Sequence, residues 1–213
     1  MRLYWCRKFK NRQESRLLLQ LALKEYLKEE RGIKGDVSLE SPIPLEMEIF
    51  KGKDGKPYTN IPDLYFNISH SQDLWVCGVS KRPIGVDVEI LRERNYQKLM
   101  DRYFQPEEIL YVKENGLKGF FDIWTFKEAH SKLLGESIFK NIGFSAVSDG
   151  KIREHYLIEE NKSHIIYQGN RQLKGKSELG ETGQLEDVIW TLAKMVESNS
   201  EEIQVQLKEI NLQ

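Results

Sequence analysis

The sequence predicts an α+β fold. Three observations carry that expectation. Apolar residues recur every three to four positions in some segments, as amphipathic helices require. Short β-branched or aromatic runs elsewhere are separated by turn residues, as in antiparallel hairpins. Ile84–Ile90 alternates strictly over seven residues. Helices and strands are thus mixed along one chain, with antiparallel pairing.

The first helix opens at Asn11, where Glu14 three residues later makes a capping box. Leu17, Leu18, Leu21, Ala22 and Leu27 continue it, and Gly32 stops it. From Gly35 to Pro62 the chain is rich in Gly, Pro and charge, which predicts loops around at most short strands. Tyr65–Ser69 and Leu74–Val79 read as strands joined by a turn at His70–Asp73, and Lys81–Pro83 is a further turn before Ile84–Ile90. A helical stretch follows. Pro106 takes a first helical position after Gln105, Gly116 ends that segment, and Phe120–Gly135 is a second strong helix. Ile142–Val147, Lys151–Ile158 and Ser163–Gln168 read as strands. Arg171–Glu186, with Gly175, Gly180 and Gly183, reads as a mobile loop, and Asp187–Met195 and Ile203–Ile210 as further elements.

With 213 residues, 39% of them hydrophobic, the chain can bury a sizeable core in one large or two small domains. The 31% of charged residues nearly cancel to a net charge of -1, so there is no footprint of a nucleic-acid binder. Cys6 and Cys77 are too few and too far apart for a disulfide framework or a zinc site, and read as reduced thiols. The N-terminus lacks the apolar run of a signal peptide, and no stretch reaches transmembrane length. The expectation is a cytoplasmic protein without a membrane partner.

Four short patterns stand out. In Gly85-Val-Asp-Val-Glu89, residues two apart share a strand face, so Asp87 and Glu89 project together beside Gly85. Two adjacent carboxylates repel unless something positive lies between them, and a hard cation such as Mg²⁺ suits that place. Such a pair is also common on the solvent side of an edge strand. Phe121, Trp124, Glu128 and Lys132 are spaced three, four and four, on one helix face. Alone, that Glu-Lys pair suits a surface helix better than a site. Asn67-Ile-Ser-His-Ser71 could present hydrogen bonds to a phosphate or form an ordinary polar turn. Gly55-Lys56-Pro57 says only that the chain loops; the spacing of a P-loop is absent.

Together and in this order, Gly55-Lys-Pro57, Asn67-Ile-Ser-His-Ser71, Gly85-Val-Asp-Val-Glu89 and Trp124-x-x-Lys127-Glu128-Ala129 with Lys132 resemble the 4′-phosphopantetheinyl transferases of the Sfp type. The resemblance runs from about Arg7 to Gly143. It implies a magnesium enzyme that moves the phosphopantetheine arm of coenzyme A onto a serine of an apo carrier protein, whether peptidyl, acyl or aryl. By the same resemblance Asp87, Glu89 and Glu128 hold Mg²⁺, and Glu128 is the base, directly or through water. Lys132, Ser69 and His70 contact the phosphates of coenzyme A, Lys56 and Pro57 lie at its adenine, and Arg16 lies near its 3′-phosphate. The family's architecture implies two similar α/β modules, each a small antiparallel sheet packed with a long helix, in a monomeric pseudo-dimer. Here they would be residues 1–84 and 85–213. The basic segment Cys6–Phe9 begins closer to Met1 than in the family, so a shortened or displaced first strand is expected. Two other readings remain: a non-catalytic module that binds coenzyme A or a carrier protein, and a different magnesium enzyme such as a phosphohydrolase.

Overall fold

Asn11 starts the first helix as its spacing predicts. Its side-chain oxygen accepts from the backbone N–H groups of Gln13 (2.9 Å) and Glu14 (3.1 Å), while the Glu14 carboxylate accepts from Lys10 N (2.8 Å). Two N–H groups that a helix start leaves without intrahelical partners are thereby satisfied, and the Lys10 N–H just before the cap is bonded as well. A computed structural model describes residues 1–32, 47–52, 55–140, 143–158, 163–169, 188–196 and 205–212. In chain order its elements are β1 (Arg2–Cys6), α1 (Arg12–Glu30), β2 (Ile49–Lys51), β3 (Pro57–Thr59), β4 (Tyr65–Ser71), β5 (Leu74–Ser80) and β6 (Ile84–Ile90). The helices α2 (Gln97–Tyr103) and α3 (Pro106–Leu134) follow. The remaining strands are β7 (Val147–Ser148), β8 (Lys151–Ile152), β9 (His155–Ile158), β10 (Ser163–Gly169), β11 (Val188–Val196) and β12 (Gln206–Glu209).

The class is α+β. One four-stranded sheet has the order β12-β1-β5-β4 and the other β6-β11-β10-β9. All neighbours pair antiparallel except β1 with β12. Leu18, Leu23 and Tyr26 of α1 bury against Phe66, Trp75 and Cys77 of the first sheet. Phe120, Phe121 and Phe126 of α3 bury against Ile165, Ile189 and Ala193 of the second. Between the sheets lies a third apolar layer: Leu3, Trp5 and Val76 from one side, Val86, Val88, Trp190 and Leu192 from the other. Each fully buried side chain of this size contributes about 1.5–3 kcal/mol of transfer free energy, so this layer fixes how the sheets meet.

The junction matters for function because β4 lies beside β6 there. The side-chain oxygen of Asn67 accepts from Val86 N (2.9 Å), and that of Ser71 from Ile90 N (3.1 Å). Polar side chains of one sheet therefore serve backbone donors of the other. On its other face β6 touches α3 closely at Gly85, where an added Cβ would stand 2.1 Å from Ala129 O and 2.5 Å from Leu133 N. Only glycine lets helix and strand approach this far.

Several expectations change in detail. The break expected at Gly116 is present, and two helical stretches meet there within α3. Gly116 carries non-helical angles (φ 61°, ψ −142°), a kink that glycine tolerates. Strand β4 extends through Ser71, leaving Gln72 and Asp73 as the turn. The strand expected over 142–147 is reduced, among its described residues, to Val147 pairing in β7, and Lys151–Ile158 divides into β8 and β9. Asp187–Met195 and Ile203–Ile210 correspond to β11 and β12. The first strand is present and pairs on both edges, with β5 and β12. The expected loop Arg171–Glu186 lies outside the described residues. Cys6 and Cys77 are free and buried, and burial pushes the Cys6 thiol up to about 11.

Candidate active site

The side chains of β6 divide as strand alternation demands. Val86 and Val88 enter the layer between the sheets, while Asp87 and Glu89 share the Gly85 face, toward α3. On α3, Trp124, Glu128 and Lys132 follow at helical spacing and face the same space. The strand end Ile68-Ser69-His70 of β4 closes the third side. The result is a cleft of about 350 Å³ lined by Ser69, His70, Asp87, Glu89, Trp124, Glu128 and Lys132, together with Ile68 and Val88.

Its polar groups are interlocked. Lys132 Nζ meets Asp87 Oδ1 at 2.6 Å and also donates to Ser69 Oγ at 3.1 Å. Ser69 Oγ donates to the same Asp87 oxygen at 2.7 Å. Ser71 Oγ donates to Glu89 Oε2 at 2.6 Å. Burial pushes the Glu128 carboxyl above the usual carboxylate range. The negative charge of Asp87 adds to that push, as does Glu89, while Lys132 opposes it. Removing the cleft's charge from water and crowding carboxylates have the same effect: both disfavour another anion.

Asp87, Glu89 and Glu128 are hard oxygen donors on one cleft, a set suited to Mg²⁺. The Glu128 carboxyl is raised first by burial and then by the neighbouring Asp87 and Glu89 charges, the part that a cation there would offset. Among the described residues, no group of three His, Cys, Asp or Glu side chains is gathered tightly enough to hold a metal in this conformation. Lys132 instead supplies the positive charge at Asp87.

The structure brings together six of the residues singled out in the sequence: Ser69, His70, Asp87, Glu89, Glu128 and Lys132. The other three lie elsewhere. Lys56 directs its ammonium to the backbone oxygens of Lys132 (2.8 Å) and Leu133 (3.1 Å) in the C-terminal turn of α3, and to that of Ile84 (3.5 Å) at the start of β6. A cation there complements the negative helix end. Pro57 borders a separate pocket of about 150 Å³ that Lys56 also lines. Arg16 is exposed on α1 and borders a surface hollow with Arg12 and Gln13. His70 is exposed at the cleft and packs its ring, tilted, against Phe9 with centroids 5.3 Å apart, which ties it to the chain just before α1.

Two residues were not singled out. Ser71 holds Glu89, and the period-two run Asn67-x-Ser69-x-Ser71 is the sequence signal that could have found it. Lys127, inside the Lys-Glu-Ala motif, points away from the cleft. It is buried against Glu108 (3.0 Å) and donates to Phe144 O (2.6 Å). Its place in the motif is thus structural.

Residues 83–184 match the sequence profile of the 4′-phosphopantetheinyl transferase superfamily. The chain is 29% identical over 136 residues to the 4′-phosphopantetheinyl transferase gsp of Aneurinibacillus migulanus, covering 61% of this chain and 52% of that protein. It is 36% identical over 103 residues to psf-1 of Bacillus pumilus (45% and 43% covered) and 28% identical over 120 residues to Sfp of Bacillus subtilis strain 168 (51% and 53% covered). Both are also named 4′-phosphopantetheinyl transferases. The chain thus spans about half the length of these relatives. The profile match contains the stretch that builds most of the cleft, so over that stretch the chain is similar to the 4′-phosphopantetheinyl transferase superfamily, with an Sfp enzyme among the similar proteins.

Proposed function

We propose that this protein is a Mg²⁺-dependent 4′-phosphopantetheinyl transferase that loads an apo carrier protein from coenzyme A. The observation that carries the reading is the Lys132–Asp87 contact (2.6 Å) in a cleft shared with Glu89, Glu128, Ser69 and His70. Anion-binding and cation-binding groups are set side by side, as transfer from a pyrophosphate requires.

In this reading the carrier serine oxygen bonds to the β-phosphorus of coenzyme A. The bond from that phosphorus to the bridging oxygen breaks, and 3′,5′-ADP leaves with the electron pair. Glu128 takes the serine proton, directly or through a water. Lys132 donates to a pyrophosphate oxygen and follows the charge that builds there. Ser69 and His70 orient the phosphates, Lys56 and Pro57 border the adenine, and Arg16 lies toward the 3′-phosphate. Asp87, Glu89 and Glu128 would hold the Mg²⁺, which supplies positive charge against the pyrophosphate.

The remaining expectations join this reading. The two helix-backed sheets are modules of a monomeric pseudo-dimer divided at 84/85, with β12 returning to the first sheet. The partners are peptidyl, acyl or aryl carrier domains in the cytoplasm. No helix among the described residues is long and apolar enough to cross a membrane.

Intact mass of an apo carrier after incubation with the protein, coenzyme A and Mg²⁺ tests the proposal. A gain of one phosphopantetheine group, lost on chelation and lost in Asp87→Ala, is the expected result. If peptidyl and acyl carriers both stay apo while coenzyme A binds, the transferase reading falls to that of a binding module.

A further inference from the structure

Ser71 lies one strand position pair beyond Ser69, and the two serines treat the two β6 acids alike. Ser69 donates to Asp87 at 2.7 Å and Ser71 to Glu89 at 2.6 Å, across the same offset of 18 residues. Ser71 is 6% exposed. Its oxygen also accepts from Ile90 N at 3.1 Å, so the hydroxyl's single proton is committed to Glu89. A hydroxyl anchored by a backbone N–H on one side and aimed at one carboxylate oxygen on the other fixes the rotation of that carboxylate. The direction of the second carboxylate oxygen is set with it.

We infer that Ser71 is a positioning residue that orients Glu89 for cation binding. This rests on the Mg²⁺ reading of the cleft proposed above. Ligating carboxylates are generally held by hydrogen bonds from an outer row of residues, and removing such a partner typically weakens metal binding about 10–100-fold. Ser71 performs that task from the opposite sheet, so the acid pair is aimed by the junction between sheets rather than by its own strand.

The test is Mn²⁺ binding to the full chain with coenzyme A present, followed by electron paramagnetic resonance of free Mn²⁺. Thermal unfolding and metal-free coenzyme A binding are measured alongside. Ser71→Ala should weaken Mn²⁺ about tenfold or more, leave metal-free coenzyme A binding unchanged, and be rescued by Ser71→Thr, which keeps the hydroxyl. In a Glu89→Gln background Ser71→Ala should add no further loss, since the serine acts through that carboxylate. Should the alanine variant not fold, Ser71→Cys, similar in shape but a weak donor, carries the same expectation. Equal Mn²⁺ affinity of wild type and the hydroxyl-deleted variant overturns the inference alone. Absence of Mn²⁺ binding to wild type overturns the metal reading and the inference with it.

Discussion

Lys132 Nζ and Asp87 Oδ1 meet at 2.6 Å, though one belongs to the last turn of α3 and the other to the middle of β6. Asp87 is nearly buried, and the lysine is the side chain that balances it in this conformation. Lys132→Met should lower the initial rate of carrier modification by about 10²–10³-fold, the usual cost of losing one charge-stabilising donor. The melting temperature should change little, because the lysine is partly exposed. Mass-resolved initial rates and circular dichroism check both parts. An unchanged rate would remove Lys132 from the machinery.

Gly85→Ala should damage stability and activity together. Its Cβ would meet backbone atoms of α3 at 2.1 and 2.5 Å, so the helix must move. Overpacking of this kind costs about 1–3 kcal/mol. The atoms displaced belong to Ala129 and Leu133, adjacent to Glu128 and Lys132, so the cleft opens as the helix lifts. Urea unfolding and transfer rate measured on one preparation test the coupling. Full activity in a destabilised variant would break it.

The buried pair of Lys127 and Glu108 yields a stability prediction without a catalytic one. Burial pushes Glu108 up and Lys127 down, each against the attraction of the other. Glu108 also accepts from Ala146 N (2.6 Å) and Gln105 N (2.7 Å), so it ties the start of α3 to the chain before β7. Lys127→Met leaves an uncompensated buried carboxylate and should cost about 3–5 kcal/mol. Glu108→Gln in the same chain should recover part of that loss. Denaturant midpoints of the single and double variants decide the matter.

His130 makes stability depend on acid. It is buried, stacks on Phe144 at 4.2 Å, and shares a 2.6 Å hydrogen bond between Nδ1 and the Tyr167 hydroxyl. Burial, with Lys127 nearby, lowers its pKa from 6.5 to about 4. The unfolded chain therefore binds a proton in that window and the folded chain does not. Stability is fully present above the unfolded value and falls as pH drops toward about 4. The loss attributable to this histidine approaches about 3 kcal/mol. His130→Gln should flatten the slope of unfolding free energy between those pH values relative to wild type. Parallel slopes would assign the acid sensitivity to other groups.

Local pattern accounts for much of this molecule. Asn11 and Glu14 marked the start of α1, and Ile84–Ile90 alternated with Val86 and Val88 on one face and Asp87 and Glu89 on the other, as observed. The i, i+4 spacing placed Glu128 and Lys132 on one face. Such features depend on periods of two and 3.6 residues, which a sequence displays directly. Gly116 was legible as a break with a helix resuming beyond it, whereas how the two stretches join depends on what buries the second. Here Phe120, Phe121 and Phe126 do so.

By itself, then, the sequence determined which side chains share a face: Asp87 with Glu89, and Glu128 with Lys132. Only the tertiary structure decided which faces meet. The direction of Lys56 toward the α3 carbonyls, the burial of Lys127 on Glu108, and the grip of Ser71 on Glu89 all cross between elements. None leaves a local period, because each is set by how two sheets and a helix pack. That packing follows from the shared apolar layer and the absence of a Cβ at Gly85, and neither shows its partner until the chain is folded.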